Sequence, residues 1–431
     1  MLLLHLSDIH FRHEEIRSSM DPNYHLRNKL LLDAQVMCKQ LDKIPSAILI
    51  SGDIAYAAHK NEYDFALEWI DKLATACGTS IENVFVVPGN HDVVRDKASK
   101  PMVQALHNQI KTTSLIDLDE KLRELLADEE TSRVLYAPLD PFNFFAGQFF
   151  CSVSAPERMM AKRDLPLNDG SILRLAGLNS AFVSSKEDKE GELFIDPSYS
   201  QLTSEPGIEY LTICHHPYSW LKNGNNLKDH LNDVAKIQLF GHAHTNRIEL
   251  NRDFIQISAS AAHPDRTEYG WEPGYNLIEL DVTRTGSERI LNLTTHVRIW
   301  QSRPGQFHPK MDRTKNYFEH KIPLENWVPP QVKVDITENP IEPLILESTH
   351  LSPEQQLPES DPMDTLRNIS IRFFKLTLSQ KSEISGKLEL IEDEDINQPD
   401  FERFRRVFLR AHERGLVEAL DKEIAEINKP N

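Results

Sequence analysis

The chain has 431 residues, with 66 Asp+Glu against 48 Lys+Arg and a net charge of −18. A content of 40% hydrophobic and 26% charged residues is that of a folded globular protein rather than a disordered or fibrous one, and the length suggests two or three domains. The acidic balance excludes broad, charge-driven binding to nucleic acid or to an anionic membrane, both of which need a basic surface.

Short apolar runs alternate with helical patterns from the N-terminus onward. Leu2–Leu6 reads as a strand and leads into Ser7-Asp8-Ile9-His10; the stretch with Leu30, Ala34, Met37, Cys38 and Leu41 has helical periodicity. Ala47–Ile50 is a second strand, ending in Ser51-Gly52-Asp53, and a helix through Tyr63, Leu67, Ile70 and Leu73 follows. Val84–Val87 leads into Pro88-Gly89-Asn90-His91-Asp92. Fully apolar runs of this length are strands buried on both faces, and the alternation predicts an α/β layered fold.

Residues 95–170 break the alternation with a charged helical stretch and the aromatic patch Phe142, Phe144, Phe145, Phe149 and Phe150. This segment is expected to be an inserted helical cap whose aromatics pack it onto the main body. Two further strands, Leu211–Cys214 and Ile237–Phe240, end in His215-His216-Pro217 and Gly241-His242-Ala243-His244. Strands over 247–300 are expected to form a second sheet completing a sandwich. A proline-rich stretch over 326–363 reads as a linker, and residues 364–431 regain helical periodicity as a small helical domain.

Cys38, Cys77, Cys151 and Cys214 are scattered, with no CxxC pair, so they predict small buried residues in a reducing compartment. Met1–Leu6 is too short for a signal or membrane segment, and no long apolar stretch occurs elsewhere. The expectation is a cytoplasmic protein that does not engage membrane.

All five polar clusters fall at the carboxyl ends of strands, where α/β folds gather functional groups. Together they supply Asp8, His10, Asp53, Asn90, His91, Asp92, His215, His242 and His244. Carboxylate, imidazole and amide oxygen without thiolate suit borderline-to-hard divalent ions. Nine such residues can surround more than one ion, and a pair of ions would clamp a phosphate and activate water. Asp53, alone between flanking clusters, is the natural bridging carboxylate.

The order Asp-x-His, Gly-Asp, Gly-Asn-His-Asp, a lone His and Gly-His-x-His resembles the calcineurin-like metallophosphoesterase superfamily over about residues 1–300. The resemblance implies a four-layer α/β/β/α sandwich, spanning about 1–325 with the cap inserted. It also implies two divalent metal ions, Mn first and Fe, Zn, Ni or Co as alternatives. Asp8, His10, Asp53 and His244 would bind one ion; Asp53, Asn90, His215 and His242 would bind the other. His91 would be the acid near the leaving group, with Asp92 orienting its ring, and His216 would lie in an outer shell. Where many members carry another Asp three residues after the bridging one, this chain has Tyr56; that departure touches the support of the site rather than its ligands.

The implied activity is hydrolysis of a phosphate ester by a metal-bound hydroxide. The opening Leu4-His5-Leu6-Ser7-Asp8-Ile9-His10 and the histidine pair before Pro217 look most like the phosphodiesterase branches acting on a nucleotide or short nucleic acid end. A phosphomonoesterase and a metal-binding scaffold are the alternatives. The layout of the tail, with Phe404, Phe408, Ala411, Gly415-Leu416 and Leu420, resembles small effector-associated or death-like adaptor domains and implies a protein partner. Glu392-Asp393-Glu394-Asp395 reads as a solvated acidic loop. His5, His13, His25, His59, His107, His230 and His263 are expected in surface or core roles. Arg12 and Arg95, which follow ligand clusters, have the charge to neutralise phosphate.

Overall fold

A computed structural model describes residues 1–153, 160–195, 201–265, 271–286, 288–329, 362–398 and 400–427. The linker expected at 326–363 falls mostly outside the described residues.

In chain order, β1 (Leu2–Leu6), α1 (Tyr24–Leu41), β2 (Ala47–Ile50), α2 (Lys60–Ala76) and β3 (Val84–Val86) form the predicted opening alternation. Every residue of these three strands is buried, as their unbroken apolar sequences require. Helices α3 (Arg95–Ala98), α4 (Pro101–Thr112), α5 (Leu118–Ala127), α6 (Glu129–Tyr136) and α7 (Asp140–Ala146) make up the inserted helical segment. Then come β4 (Ala161–Pro166), β5 (Ile172–Leu178), β6 (Ile208–Cys214), α8 (Gly224–Val234), β7 (Ala235–Phe240), β8 (Arg247–Leu250) and β9 (Ile255–Ser258). A run of four strands closes the sheet region: β10 (Gly274–Thr285), β11 (Glu288–Ser302), β12 (Gly305–Pro309) and β13 (Phe318–Leu324).

Two mixed sheets result, flanked by helices. One has the order β12-β11-β10-β1-β2-β3, with β13 also on β11; the other runs β4-β5-β6-β7-β9-β8. Strands β1, β2 and β3 are parallel, as are β5, β6, β7 and β9, so their carboxyl ends point one way within each sheet. A Cβ built at Gly177 on β5 would lie 2.8 Å from Val87 Cγ1, which shows how closely the sheets approach there.

Two sequence expectations need correction. The late strands do not form a second sheet: β10 pairs antiparallel with β1, extending the first sheet, and only β8 and β9 join the second. The helical segment also ends before 170, because Ala161–Pro166 is the edge strand β4, paired with β5. Its alternating buried and exposed residues mark an edge strand with one wet face, a weak signal beside the strong helical pattern upstream.

The tail folds as α9 (Pro362–Phe374), α10 (Leu378–Lys387), α11 (Asp400–Glu413) and α12 (Val417–Ile427) around its own core of Ile369, Phe373, Ile384, Phe404, Phe408, Leu420 and Ile424. Phe144 and Phe150 of the helical segment pack against that core, whereas Phe142, Phe145 and Phe149 belong to the main one. Phe144 meets Phe374 edge-on at 5.6 Å. The aromatic patch is therefore packing material, as expected, but it faces two cores. In the acidic run Glu392, Asp393 and Glu394 are exposed, as expected of a solvated segment, and only Asp395 turns inward. Asp395 is fully buried and paired with Arg410, Glu394 lies 3.0 Å from Arg410, and Glu392 pairs with Arg414.

Candidate metal centre

The loops after β1, β2, β3, β6 and β7 meet between the two sheets. Backbone bonds lace them together: Asp8 N–H donates to Gly52 O, Ile9 and His10 N–H donate to Asp53 O, and Gly241 N–H donates to His215 O. The backbones of Asp8, His10, Asp53, His242 and His244 all lie in the left-handed region, with φ between 50° and 64°. Non-glycine residues seldom adopt it, although Asp and His do so more readily than β-branched residues. Such kinks turn each side chain inward at a strand end. Glycines line the floor for want of room. A Cβ at Gly89 would lie 2.1 Å from Asp53 Oδ1, and one at Gly241 would lie 2.2 Å from Ser7 Oγ.

The seven residues expected to hold metal come together as two groups sharing one atom. Asp53 Oδ2 lies 3.2 Å from His10 Nε2 and 3.3 Å from His215 Nε2. On one side, Asp8 Oδ1 lies 3.2 Å from His244 Nε2 and 3.9 Å from His10 Nε2, yet it completes a well-formed hydrogen bond with neither. On the other side, Asn90 Oδ1 lies 3.1 Å from His215 Nε2 and 3.2 Å from His242 Nδ1. The remaining carboxylate oxygens are held by backbone: Asp53 Oδ1 accepts from His91 N–H at 2.8 Å and Asp8 Oδ2 from His242 N–H at 3.2 Å.

His215 tests whether this donor set fits a cation. Its Nδ1–H donates to the Ser51 carbonyl at 2.8 Å, so the neutral ring turns the Nε2 lone pair on two oxygen acceptors. Lone pairs converge in this way only around a positive charge. Without metal, a proton supplies it. Burial alone would lower the His215 pKa, but the Asp53 carboxylate holds it up at about 9. Burial likewise opposes the ionised forms of Asp8 and Asp53, yet the surrounding histidines hold both below the usual carboxylate range. The site is built for charge balance between carboxylates and cations.

His91 stands beside these groups, its ring 4.7 Å from that of His10. Its Nδ1–H donates to the Tyr56 carbonyl at 2.7 Å. Burial, with the Arg95 guanidinium adding to it, brings its pKa down to about 4, against the pull of Asp53. The expected orienting role of Asp92 is not what the geometry shows. Asp92 is fully buried and accepts from the N–H groups of Ala55 and Gly89, each at 3.0 Å, from Ile54 N–H at 3.3 Å, and from the Tyr63 hydroxyl at 2.9 Å. It ties the loop after β2 to the loop after β3 and leaves the His91 ring to Tyr56. Burial and the Asp53 charge raise its pKa to about 6.

Glu62 and Trp220 gave no sequence signal here. Buried Glu62 accepts from the N–H groups of Tyr56, Ala57, His59 and His13, which fixes the loop that presents the Tyr56 carbonyl. His216, expected in an outer shell, is buried, with Nδ1 on the Ser180 hydroxyl at 2.8 Å, and its ring lies 4.8 Å from that of His215 and 4.6 Å from that of His242. Trp220 places its ring 4.2 Å from that of His242. His5 and His263 are core residues, bonded to Ser51 Oγ and to Ile9 O. His13 is exposed and stacks on His59 at 4.4 Å.

The profile of the calcineurin-like phosphoesterases matches residues 1–246, a stretch that contains every residue of the two groups. The chain belongs to this family. Calcineurin-like phosphoesterases are metal-dependent hydrolases of phosphoester bonds, and residues 365–426 add a match to the GTPase-associated adaptor domain, in line with the adaptor-like tail. A Bacillus subtilis (strain 168) protein, the uncharacterized metallophosphoesterase-like protein YydB, is 22% identical over 346 residues, which cover 74% of this chain and 66% of that protein. The matched region therefore spans just under two thirds of the relative's length. Among solved structures, Chaetomium thermophilum Vps29 aligns at 12% identity with a TM-score of 0.28, over 75% of this chain and 98% of that one. A putative 5′-nucleotidase from Staphylococcus aureus aligns at 12% identity and 0.33, over 78% and 56%. Scores this low have no bearing on function.

Proposed function

We propose that this phosphoesterase uses two divalent ions, most fittingly Mn, to hydrolyse a phosphodiester of a nucleotide or nucleic acid end. Asp8, His10, Asp53 and His244 would hold one ion, and Asp53, Asn90, His215 and His242 the other. The observation that carries the reading is Asp53 Oδ2, which faces His10 Nε2 and His215 Nε2 at nearly equal distances. When bound, the ions would supply positive charge for the phosphoryl oxygens and an acidified water. The chain's own groups do the rest. His215 keeps a fixed tautomer through the Ser51 carbonyl. His91, held through Nδ1–H by Tyr56, presents Nε2 as the proton-transfer atom toward the leaving group. Asp92 keeps the two central loops in register.

The lean toward a diester rests on the resemblance of the first and fourth clusters to the phosphodiesterase branches. Four buried free cysteines support a cytoplasmic setting, and no helix among the described residues is long and apolar enough to cross a membrane. The adaptor-domain match supports a protein partner for the tail.

The test is turnover of bis-p-nitrophenyl phosphate and p-nitrophenyl phosphate by purified protein with Mn and after chelation, for wild type and His91→Ala. Metal-dependent turnover, faster on the diester and lost in the variant, is expected. Two bound metals with no turnover of either compound would leave a binding scaffold as the function.

A further inference from the structure

We infer that Arg12 and Arg95, grouped around Tyr56, form a subsite for a second, non-scissile phosphoryl group, so that the preferred substrate carries two. The inference rests on the phosphoesterase reading and names the class of ester within it.

The Tyr56 ring lies 4.9 Å from the His91 ring. The Arg12 guanidinium sits over Tyr56 at 3.8 Å, and that of Arg95 lies 5.9 Å from the same ring. Arg95 Nη2 is 3.1 Å from His91 Nδ1 and 3.5 Å from Nε2. Nδ1–H is already committed to the Tyr56 carbonyl, so the guanidinium lies against the edge of the ring and keeps its N–H donors for a ligand. Among the described residues no carboxylate lies within ion-pair reach of Arg95, although the chain carries 66 acidic residues against 48 basic ones. A half-buried guanidinium in so acidic a protein ordinarily finds a carboxylate. This one faces an imidazole at the mouth of the metal centre.

Arg12 is paired, with Asp265 at 3.1 Å, but both partners are partly exposed. Such a pair contributes little and exchanges readily for a doubly charged phosphate, which a guanidinium grips through two parallel hydrogen bonds. His91 links the two places, since its backbone N–H is on Asp53 while its ring touches Arg95. An ester held at the centre with its leaving side at His91 would extend its next phosphoryl group toward the two arginines. On the His242 flank stands Trp220 instead, an apolar surface with no charge to offer a phosphate. The cationic side of the mouth thus sets one direction for the substrate.

The experiment uses the full Mn-loaded chain and two matched substrate pairs. These are the p-nitrophenyl ester of thymidine 5′-phosphate with and without a 3′-phosphate, and the dinucleotide TpT with and without a 5′-phosphate. The first pair reports a mononucleotide source of the second group and the other an oligonucleotide end. In wild type the added phosphate should raise kcat/KM about tenfold or more in at least one pair, through KM. Arg12→Gln and Arg95→Gln should each shrink that ratio several-fold, and Arg→Lys should restore part of it. Because each ratio is taken on one protein, a change in the folded fraction cancels. No preference in either pair, or a preference that survives both substitutions, overturns the subsite. Calorimetric titration of orthophosphate and pyrophosphate into the same Mn-loaded proteins separates this failure from loss of the enzyme reading. If nothing is turned over, a pyrophosphate preference that is lost in the arginine variants still establishes the subsite, and equal preference in all three proteins overturns it.

Discussion

The Tyr63 hydroxyl donates to Asp92 Oδ1 at 2.9 Å, and the Tyr63 ring stacks at 5.2 Å on Phe145. Tyr63 thus spans the distance from the helical segment to the carboxylate that locks the two central loops. Tyr63→Phe keeps the stacking and removes only the donor. A hydrogen bond to a charged group contributes about 1.5–3 kcal/mol, so the variant should lose stability of that order. It should also lower kcat about tenfold as the Gly89–Asp92 loop loosens. Thermal melting and steady-state kinetics on the same preparation check both. Asp92→Asn, which turns an amide NH2 toward N–H donors, should be worse on each count.

Asp53 Oδ2 faces both His10 Nε2 and His215 Nε2. Asp53→Asn replaces an anionic acceptor between His10 and His215 with a neutral amide. Metal content measured by elemental analysis should fall from two ions per chain to one or fewer, with at least a thousandfold loss of turnover. Asn90→Ala should spare the Asp8 group, leaving close to one ion bound.

His215 links the site to pH. Its folded pKa, about 9, lies above its ordinary value of 6.5. In metal-free protein its contribution to stability is therefore present in full below pH 6.5 and is lost as pH rises through 9. Chelated protein should melt at falling temperature across that interval. Protein saturated with Mn should not, because the cation replaces the proton. Metal affinity should rise with pH over the same range, with proton release measurable by titration in buffers of different ionisation enthalpy.

Phe144 and Phe150, both half-buried, pack against the core of the tail, so the tail is a docked unit. Ending the chain near residue 330 uncovers both rings and should produce aggregation on gel filtration. Within the full chain, Phe144→Ala removes part of a half-buried ring and should cost about 1–2 kcal/mol, from the apolar area lost. Partner capture by a Phe144→Ala protein that remains folded would show that the tail recruits independently of its docking.

The parallel strands and the residues at their ends were legible in the sequence because buried strands are continuous apolar runs, and a polar cluster stands out at each end. The placement of β10 was not legible. Its pairing with β1 joins residues 2–5 to 276–279, and nothing local encodes a contact so distant. The supporting residues were hidden for a different reason. Glu62 in the first turn of α2 is what any helix start offers, and only the fold aims it at four backbone N–H groups. Asp92 was placed on the wrong partner because a carboxylate next to a histidine invites a pairing, whereas in the short turn over Asn90–Asp92 it takes the N–H groups of Ile54, Ala55 and Gly89 and the Tyr63 hydroxyl instead.

The left-handed backbones of Asp8, His10, Asp53, His242 and His244 bear on the life of the protein in the cell. Each such conformation costs on the order of 1–3 kcal/mol when nothing compensates it, and five of them together rival the whole stability of a domain. Divalent ions seated among these residues would offset that load, so the abundance of the folded protein should follow metal supply. Starvation for metal would then lower the amount of enzyme as well as its rate, and proteolysis would register the shortage before any assay of turnover did.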